Sequence, residues 1–351
     1  MKTVNKKAIT LISIVALVLI AGISILIANL IKEPLPGLYN NNKLVENPEI
    51  MSVNGEQIDI QLYRYFFKSA YDSKLLTDEK FLATDEDRDE FMKSVDELVK
   101  SNLVIKQLYK NYDIALSDED NNYLDNLLLQ EKSKFPTNVL YQNYLKELYL
   151  TEDIVRELYA DELLNAYLID ELIGDEVRDS IIRARHILIT LPQKPVENED
   201  TTEEENKTAL ETYEKEKQEA LKKAEEISKR LDDGEDFETL LEEYNQDLYQ
   251  PKEGYYFVDG EIFDEFYDAV TKLENDEISG IVESPVAYHI IKRLEPDSEY
   301  LKELTPSEIY QKASNSTELS TMYTDIVTPI LDKAEIIYGK DYNLVNENTI
   351  K

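Results

Sequence analysis

Between Ala8 and Ile31 the chain reads AITLISIVALVLIAGISILIANLI, 24 residues without a charge. No other stretch restricts its folding so strongly. About 20 apolar residues suffice to cross the hydrocarbon core of a bilayer, and a helix satisfies its own backbone there. The exit, ILIANLIKEPLPG, is a poor match to the small-residue cleavage site of a signal peptide. The run is therefore expected to be an uncleaved transmembrane helix. Lys2, Lys6 and Lys7 precede it, so the positive-inside rule makes residues 1–7 a cytoplasmic tail. Residues 32–351 are then extracytoplasmic, and the protein is expected to be a single-pass protein of the cell membrane.

Composition removes several classes of chemistry. The chain has no cysteine, which excludes disulfides, thiolate catalysis, cysteine-bound metals and a lipid-modified cysteine anchor. A net charge of −35 argues against nucleic acid as a partner, because a polyanion must be neutralised by basic groups. Apolar residues still make up 42% of the chain, enough for real cores.

Residues 32–48 (KEPLPGLYNNNKLVENP) read as a linker off the membrane. The region 49–178 reads as mainly helical. It opens on SVNGEQID, a short strand and an Asn-Gly turn, and continues into a helix with Ile60, Tyr63, Phe66, Phe67 and Ala70 at helical spacing. Further amphipathic helices are expected over 85–112, 118–132, 137–148 and 152–173. Ser117 with Asp120 predicts a capping box for the second of these.

Near residue 179 the pattern changes. RARHILITL alternates and stops at Pro192, as a strand does. An acidic helix, a short helix near 237–244, a strand at 255–258, a helix over 262–273 and strands at 279–283 and 286–294 follow. The order β-α-α-β-α-β-β predicts an α+β domain over 179–297 with a four-stranded antiparallel sheet. Residues 298–351 predict one more helix, a short strand and a tail, packing on the helical region.

The chain's two histidines, His186 and His289, both fall in these strands. Two histidines make a metal site only with a third ligand, and none stands at a characteristic spacing. A hydrogen-bonded pair across neighbouring strands, each ring fixing the other's tautomer, is the alternative.

The pieces ARHILI (184–189), AEEISKRLDDGEDFETLLEEYNQD (224–247), GYYFVDGEIFDEF (254–266), LENDEISGIVES (273–284) and AYHIIKRLE (287–295) resemble a parvulin-type peptidyl-prolyl cis–trans isomerase. The wider layout is similar to the PrsA/SurA group of extracytoplasmic foldases. The resemblance implies catalytic positions at His186, Asp247, Ser284 and His289, and a proline slot at Phe257, Ile262 and Phe266. It implies no cofactor and no metal, and as partners the unfolded polypeptides that are exported across the membrane. PKEGYYF stands where the family has a glycine-rich loop, with Tyr255 in place of a small residue and Ala287 in place of a glycine. Those departures leave a second reading open: a holding chaperone with a weak or inactive parvulin domain.

Overall fold

A computed structural model describes residues 36–196 and 202–351. The expected anchor, residues 8–31, and the tail before it lie outside the described residues. Among those described, no helix is long and apolar enough to cross a membrane. The chain divides into two compact units. One comprises the residues up to Leu172 together with Met322–Lys351, and the other Ile173–Thr321.

In the first unit the stretch expected as a linker carries a small hairpin, β1 (Tyr39–Asn40) with β2 (Lys43–Leu44). Leu38 beside it is fully buried and bridges to Ile350. Strand β3 (Met51–Val53) turns through Asn54-Gly55, both at positive φ, into β4 (Glu56–Gln57). The Asn-Gly pair is the usual residue choice for a two-residue hairpin because both positions need positive φ. Helices α1 (Ile60–Leu75), α2 (Asp85–Asn111), α3 (Asp118–Ser133), α4 (Asn138–Glu147) and α5 (Glu152–Ser180) follow. The expected box at α3 is present: Asp120 N–H donates to Ser117 Oγ at 3.1 Å, and Ser117 N–H to Asp120 Oδ2 at 2.8 Å. Tyr63, Phe67, Phe91, Val95 and Val99 form the core. Helix α5 runs past the predicted end at 173, since Ile173 and Val177 keep the buried spacing of one helical face.

The second unit holds β5 (Ile182–Thr190), α6 (Glu203–Asp232), α7 (Phe237–Tyr244), β6 (Tyr255–Phe257), α8 (Asp264–Val270), β7 (Ile278–Glu283) and β8 (Ala287–Leu294). Two short helices close it, α9 (Ser298–Glu303) and α10 (Pro306–Asn315). The sheet is antiparallel throughout, in the order β6-β5-β8-β7, so the predicted α+β arrangement is present. Because alternate residues face opposite sides of a sheet, its two faces diverge in character. Ile187, Ile189, Tyr288 and Ile290 pack on α6 and α7 in one core. Ile182, Ala184, His186, Phe257, His289 and Ile291 lie on the other face, where Phe266 of α8 covers them.

Two local expectations are corrected. Helix α8 spans seven residues rather than 262–273, so Ile262 lies in the bend before it and not one turn above Phe266. Phe263, its N-cap, has extended backbone angles and offers no side-chain acceptor for the free N–H groups. The region after 297 holds three helices rather than one, α9, α10 and α11 (Thr317–Lys333), and the strand expected there is β9 (Ile336–Tyr338). In the first unit, β9 pairs with β3, Met51 opposite Tyr338. In the second, Tyr300 of α9 stacks on Tyr256 with ring centroids 3.8 Å apart.

Candidate active site

Strand β6 pairs with only the first residues of β5, Ile182 to Ala184. Beyond that point the outward N–H groups of β5 have no strand partner, and buried donors must be satisfied. The loop 245–250, NQDLYQ, supplies side-chain acceptors instead. His186 N–H donates to Gln250 Oε1 at 2.8 Å, Leu188 N–H to Asn245 Oδ1 at 2.9 Å, and Thr190 N–H to Gln246 Oε1 at 2.8 Å. The loop is thereby fastened along β5, which sets Asp247 against His186.

His186 Nε2 and Asp247 Oδ2 are 3.0 Å apart. An ionised carboxylate only accepts, so Nε2 carries the proton and Nδ1 the lone pair. The same oxygen accepts a second bond, 2.8 Å from the Tyr255 hydroxyl, while Oδ1 accepts the Tyr249 N–H at 3.0 Å. Partial burial raises the Asp247 carboxyl, yet these donors together hold it below its ordinary value. Tyr255 reaches the loop because Gly254, at φ 89°, turns the chain tightly against β5. A Cβ at Gly254 would lie 2.6 Å from the Ala184 carbonyl oxygen, so only glycine fits there.

His289 is held differently. Ser284 sits in the turn between β7 and β8, and its hydroxyl oxygen accepts from the N–H groups of Val286 at 3.3 Å and Ala287 at 3.2 Å. The hydroxyl lies 2.9 Å from His289 Nε2 and 3.2 Å from the Ala287 carbonyl. With its acceptor capacity used by two backbone donors, the hydroxyl proton is best spent on the nearer His289 Nε2. That places the ring proton of His289 on Nδ1.

The histidines are 4% and 3% exposed, their ring centroids 5.1 Å apart. The expected hydrogen bond between them is not formed, and both Nδ1 atoms are buried without a partner. Each ring is committed through Nε2 to a partner from its own loop, and this sets the tilt of the two rings. The tautomers that result are complementary, His289 Nδ1–H a donor and His186 Nδ1 an acceptor. Burial lowers both imidazoles, that of His289 to about 4 with the neighbouring His186 contributing, so both are neutral near pH 7.

Phe266 stands edge-on to both rings, 5.4 Å from His186 and 5.3 Å from His289, and edge-on to Phe257 at 5.8 Å. It is 1% exposed. The structure thus brings Phe257 and Phe266 to the histidines, with Ile262 half-buried against the same cluster. The bend carrying Ile262 is fixed by a buried cation: Lys312 of α10 donates to Glu261 Oε2 at 3.0 Å and to the Tyr256 carbonyl at 3.2 Å. Gly260, at φ 85°, allows that approach, since a Cβ there would sit 2.2 Å from the Asn315 carbonyl oxygen.

All seven positions implied by the resemblance lie in this one unit, on or beside one face of its sheet. The sequence reading missed Tyr255 as a member of the hydrogen-bond network, and the amides of Asn245, Gln246 and Gln250 as the fastening. The signal available was the dense polar run NQD…Q directly after a helix. Among the described residues, no group of three or more aspartate, glutamate or histidine side chains stands together as a metal site.

Residues 186–295 match the family described as Rotamase, PPIC-type PPIASE domain. This part of the chain is therefore a parvulin-type domain. The chain is similar to the foldase protein PrsA of Bacillus subtilis (strain 168), 33% identical over 121 residues that make up 33% of this chain and 40% of that protein. It is also similar to foldase protein PrsA 2 of Bacillus anthracis, 30% identical over 198 residues, 54% of this chain and 55% of that one. The matched stretches span between two fifths and just over half of these relatives. Among solved structures, that of peptidylprolyl isomerase (PrsA) from Bacillus anthracis aligns at 26% identity over 68% of this chain and 95% of its own, with a TM-score of 0.31.

Proposed function

We propose that the protein is an extracytoplasmic foldase, held at the membrane by residues 8–31, that isomerises Xaa-Pro bonds in exported, unfolded polypeptides. The observation that carries this reading is the pair of buried neutral histidines, wired to Asp247 and Ser284 and lined by Phe257 and Phe266. The cis and trans forms of an Xaa-Pro bond differ by about 1 kcal/mol, whereas the barrier between them is about 18–20 kcal/mol. That barrier is amide resonance, which puts negative charge on oxygen and positive charge on nitrogen in the planar form only. A dry apolar slot disfavours the charge-separated planar amide relative to the twisted one. No bond to the substrate need form, so neither nucleophile nor metal is required. His186, Asp247, Ser284 and His289 set the field at the amide, and Phe257, Ile262 and Phe266 grip the prolyl ring. Leu248 and Tyr249 directly follow Asp247 and are 88% and 90% exposed, offering apolar contact to residues flanking the proline.

A protease-coupled isomerisation assay on Xaa-Pro peptides tests the reading. Activity is expected in the wild type, with a large loss in His289→Ala and in Phe266→Ala, each checked for folding by circular dichroism. Absence of activity above the uncatalysed rate overturns it. The second reading, a holding chaperone, draws on the near-complete burial of Phe257 and Phe266. It predicts suppressed client aggregation without catalysis.

A further inference from the structure

We infer that Tyr255 is a positioning residue of the histidine–carboxylate network: its hydroxyl holds Asp247 against His186 and so fixes the proton of His186 on Nε2. The inference deepens the isomerase reading and rests on it for the catalytic consequence alone.

Two observations meet at this side chain. The Tyr255 hydroxyl and His186 Nε2 lie 2.8 and 3.0 Å from one oxygen, Asp247 Oδ2. Asp247 rides on a loop rather than on a strand or helix, and of the two side chains that bond its carboxylate, only Tyr255 belongs to a strand outside β5. Without the Tyr255 hydroxyl, Oδ2 would keep His186 as its one donor, and only the Tyr249 N–H on Oδ1 would restrain the carboxylate beside it. Two donors converging on Oδ2, with the Tyr249 N–H on Oδ1, leave one orientation. Burial and the adjacent carboxylate push the Tyr255 hydroxyl up to about 12, so it stays protonated and a donor over the whole working range. The groups facing Asp247 are then His186 from β5 and Tyr255 from β6, with His289 of β8 beyond His186 and the uncharged Phe266 from α8. The bland alternative is that the ring merely fills space against Ala184, with the hydroxyl incidental. Tyr255→Phe separates the two, because it keeps the ring and removes only the donor.

The chain has two histidines, so imidazole 15N spectra of the full-length protein are readable, with His289→Gln supplying the assignment. In the wild type, His186 is expected as a single Nε2–H tautomer. In Tyr255→Phe it becomes a mixture of the two tautomers, because Asp247 is no longer held against Nε2. In the coupled assay, Tyr255→Phe is expected to lower kcat/KM five- to tenfold in the wild type. In an Asp247→Asn background the same change is expected to cost less than twofold, the mark of action through Asp247. Unchanged His186 nitrogens in a folded Tyr255→Phe protein overturn the inference, and so does an equal loss in both backgrounds. If the wild type lacks isomerase activity, the functional reading fails, and the nitrogen spectra alone decide on Tyr255.

Discussion

Each unit sets an aspartate against a tyrosine hydroxyl, Asp96 buried in the first and Asp247 half-buried in the second, and their carboxyls shift in opposite directions. In the first unit Asp96 Oδ2 accepts from Tyr338 at 2.9 Å and Tyr342 at 2.7 Å, while Oδ1 is buried with no partner. Desolvation dominates there, and it raises the Asp96 carboxyl despite both hydroxyls. In the second unit Asp247 has a tyrosine too, but adds a backbone N–H and a histidine and keeps more contact with water. Its carboxyl ends below the ordinary value. Two hydroxyls are enough to tie a chain segment, and Asp96 does that for the stretch from β9 to Tyr342. At Asp247, donors on both oxygens outweigh the smaller desolvation and hold the carboxyl below its ordinary value.

The widest expected divergence between the units is in acid. The imidazole of His289 falls from 6.5 to about 4 in the folded state, so the unfolded chain takes up the proton first. Stability is present above pH 6.5 and is lost as pH falls toward 4, by roughly 3 kcal/mol. His186 is lowered as well and acts in the same direction. Asp96 has the opposite sign: its raised carboxyl binds a proton sooner in the folded state and favours folding as pH falls through that raised value. Hydrogen exchange between pH 7 and 4 should therefore show β5 and β8 loosening while β3 and β9 hold. A His289→Asn variant should flatten the response of β5 and β8. Equal loosening of both sheets would break the comparison.

Next in size is Asp247→Ala. The buried His186 Nε2–H loses its acceptor, so thermal unfolding should show about 1–2 kcal/mol of destabilisation. The coupled assay should show a loss on the order of 10²-fold in kcat/KM, the usual contribution of a group acting on proton or charge placement. Asp96→Ala should do the reverse. It leaves the Tyr342 hydroxyl half-buried without its acceptor, at a cost of about 2 kcal/mol. Faster exchange of β3 and β9, with the histidine spectra unmoved, is the expected readout. Smallest is Tyr338→Phe. Tyr342 still serves Asp96 Oδ2, and Tyr338 is largely exposed, so melting should register about 0.5–1 kcal/mol.

What the sequence disclosed depended on how local the cause was. The strand at RARHILITL, the Asn54-Gly55 turn and the Ser117–Asp120 box are decided within a few residues, and each appears where expected. The seven expected positions lie in one unit, and the spaced motifs fix their order along the chain. The direct bond between His186 and His289 was expected and does not form, since it turns on ring tilts set by Asp247 and Ser284. Pairing of β9 with β3 joins residues nearly 290 positions apart, and short apolar runs carry no mark of so distant a partner. Tyr255 read as an intruder in a glycine loop; its role depends on where Asp247 is delivered by amide side chains 245, 246 and 250.

Those amides have one further consequence. A strand with free N–H groups is a template on which any extended chain can build. A foldase of the kind proposed would meet such chains at high local concentration throughout its life. By filling the open side of β5 with its own Gln250, Asn245 and Gln246, the domain denies clients that template. In the proposed foldase, an unfolded chain would then meet the site through its side chains and its proline rather than by adding a strand at that edge.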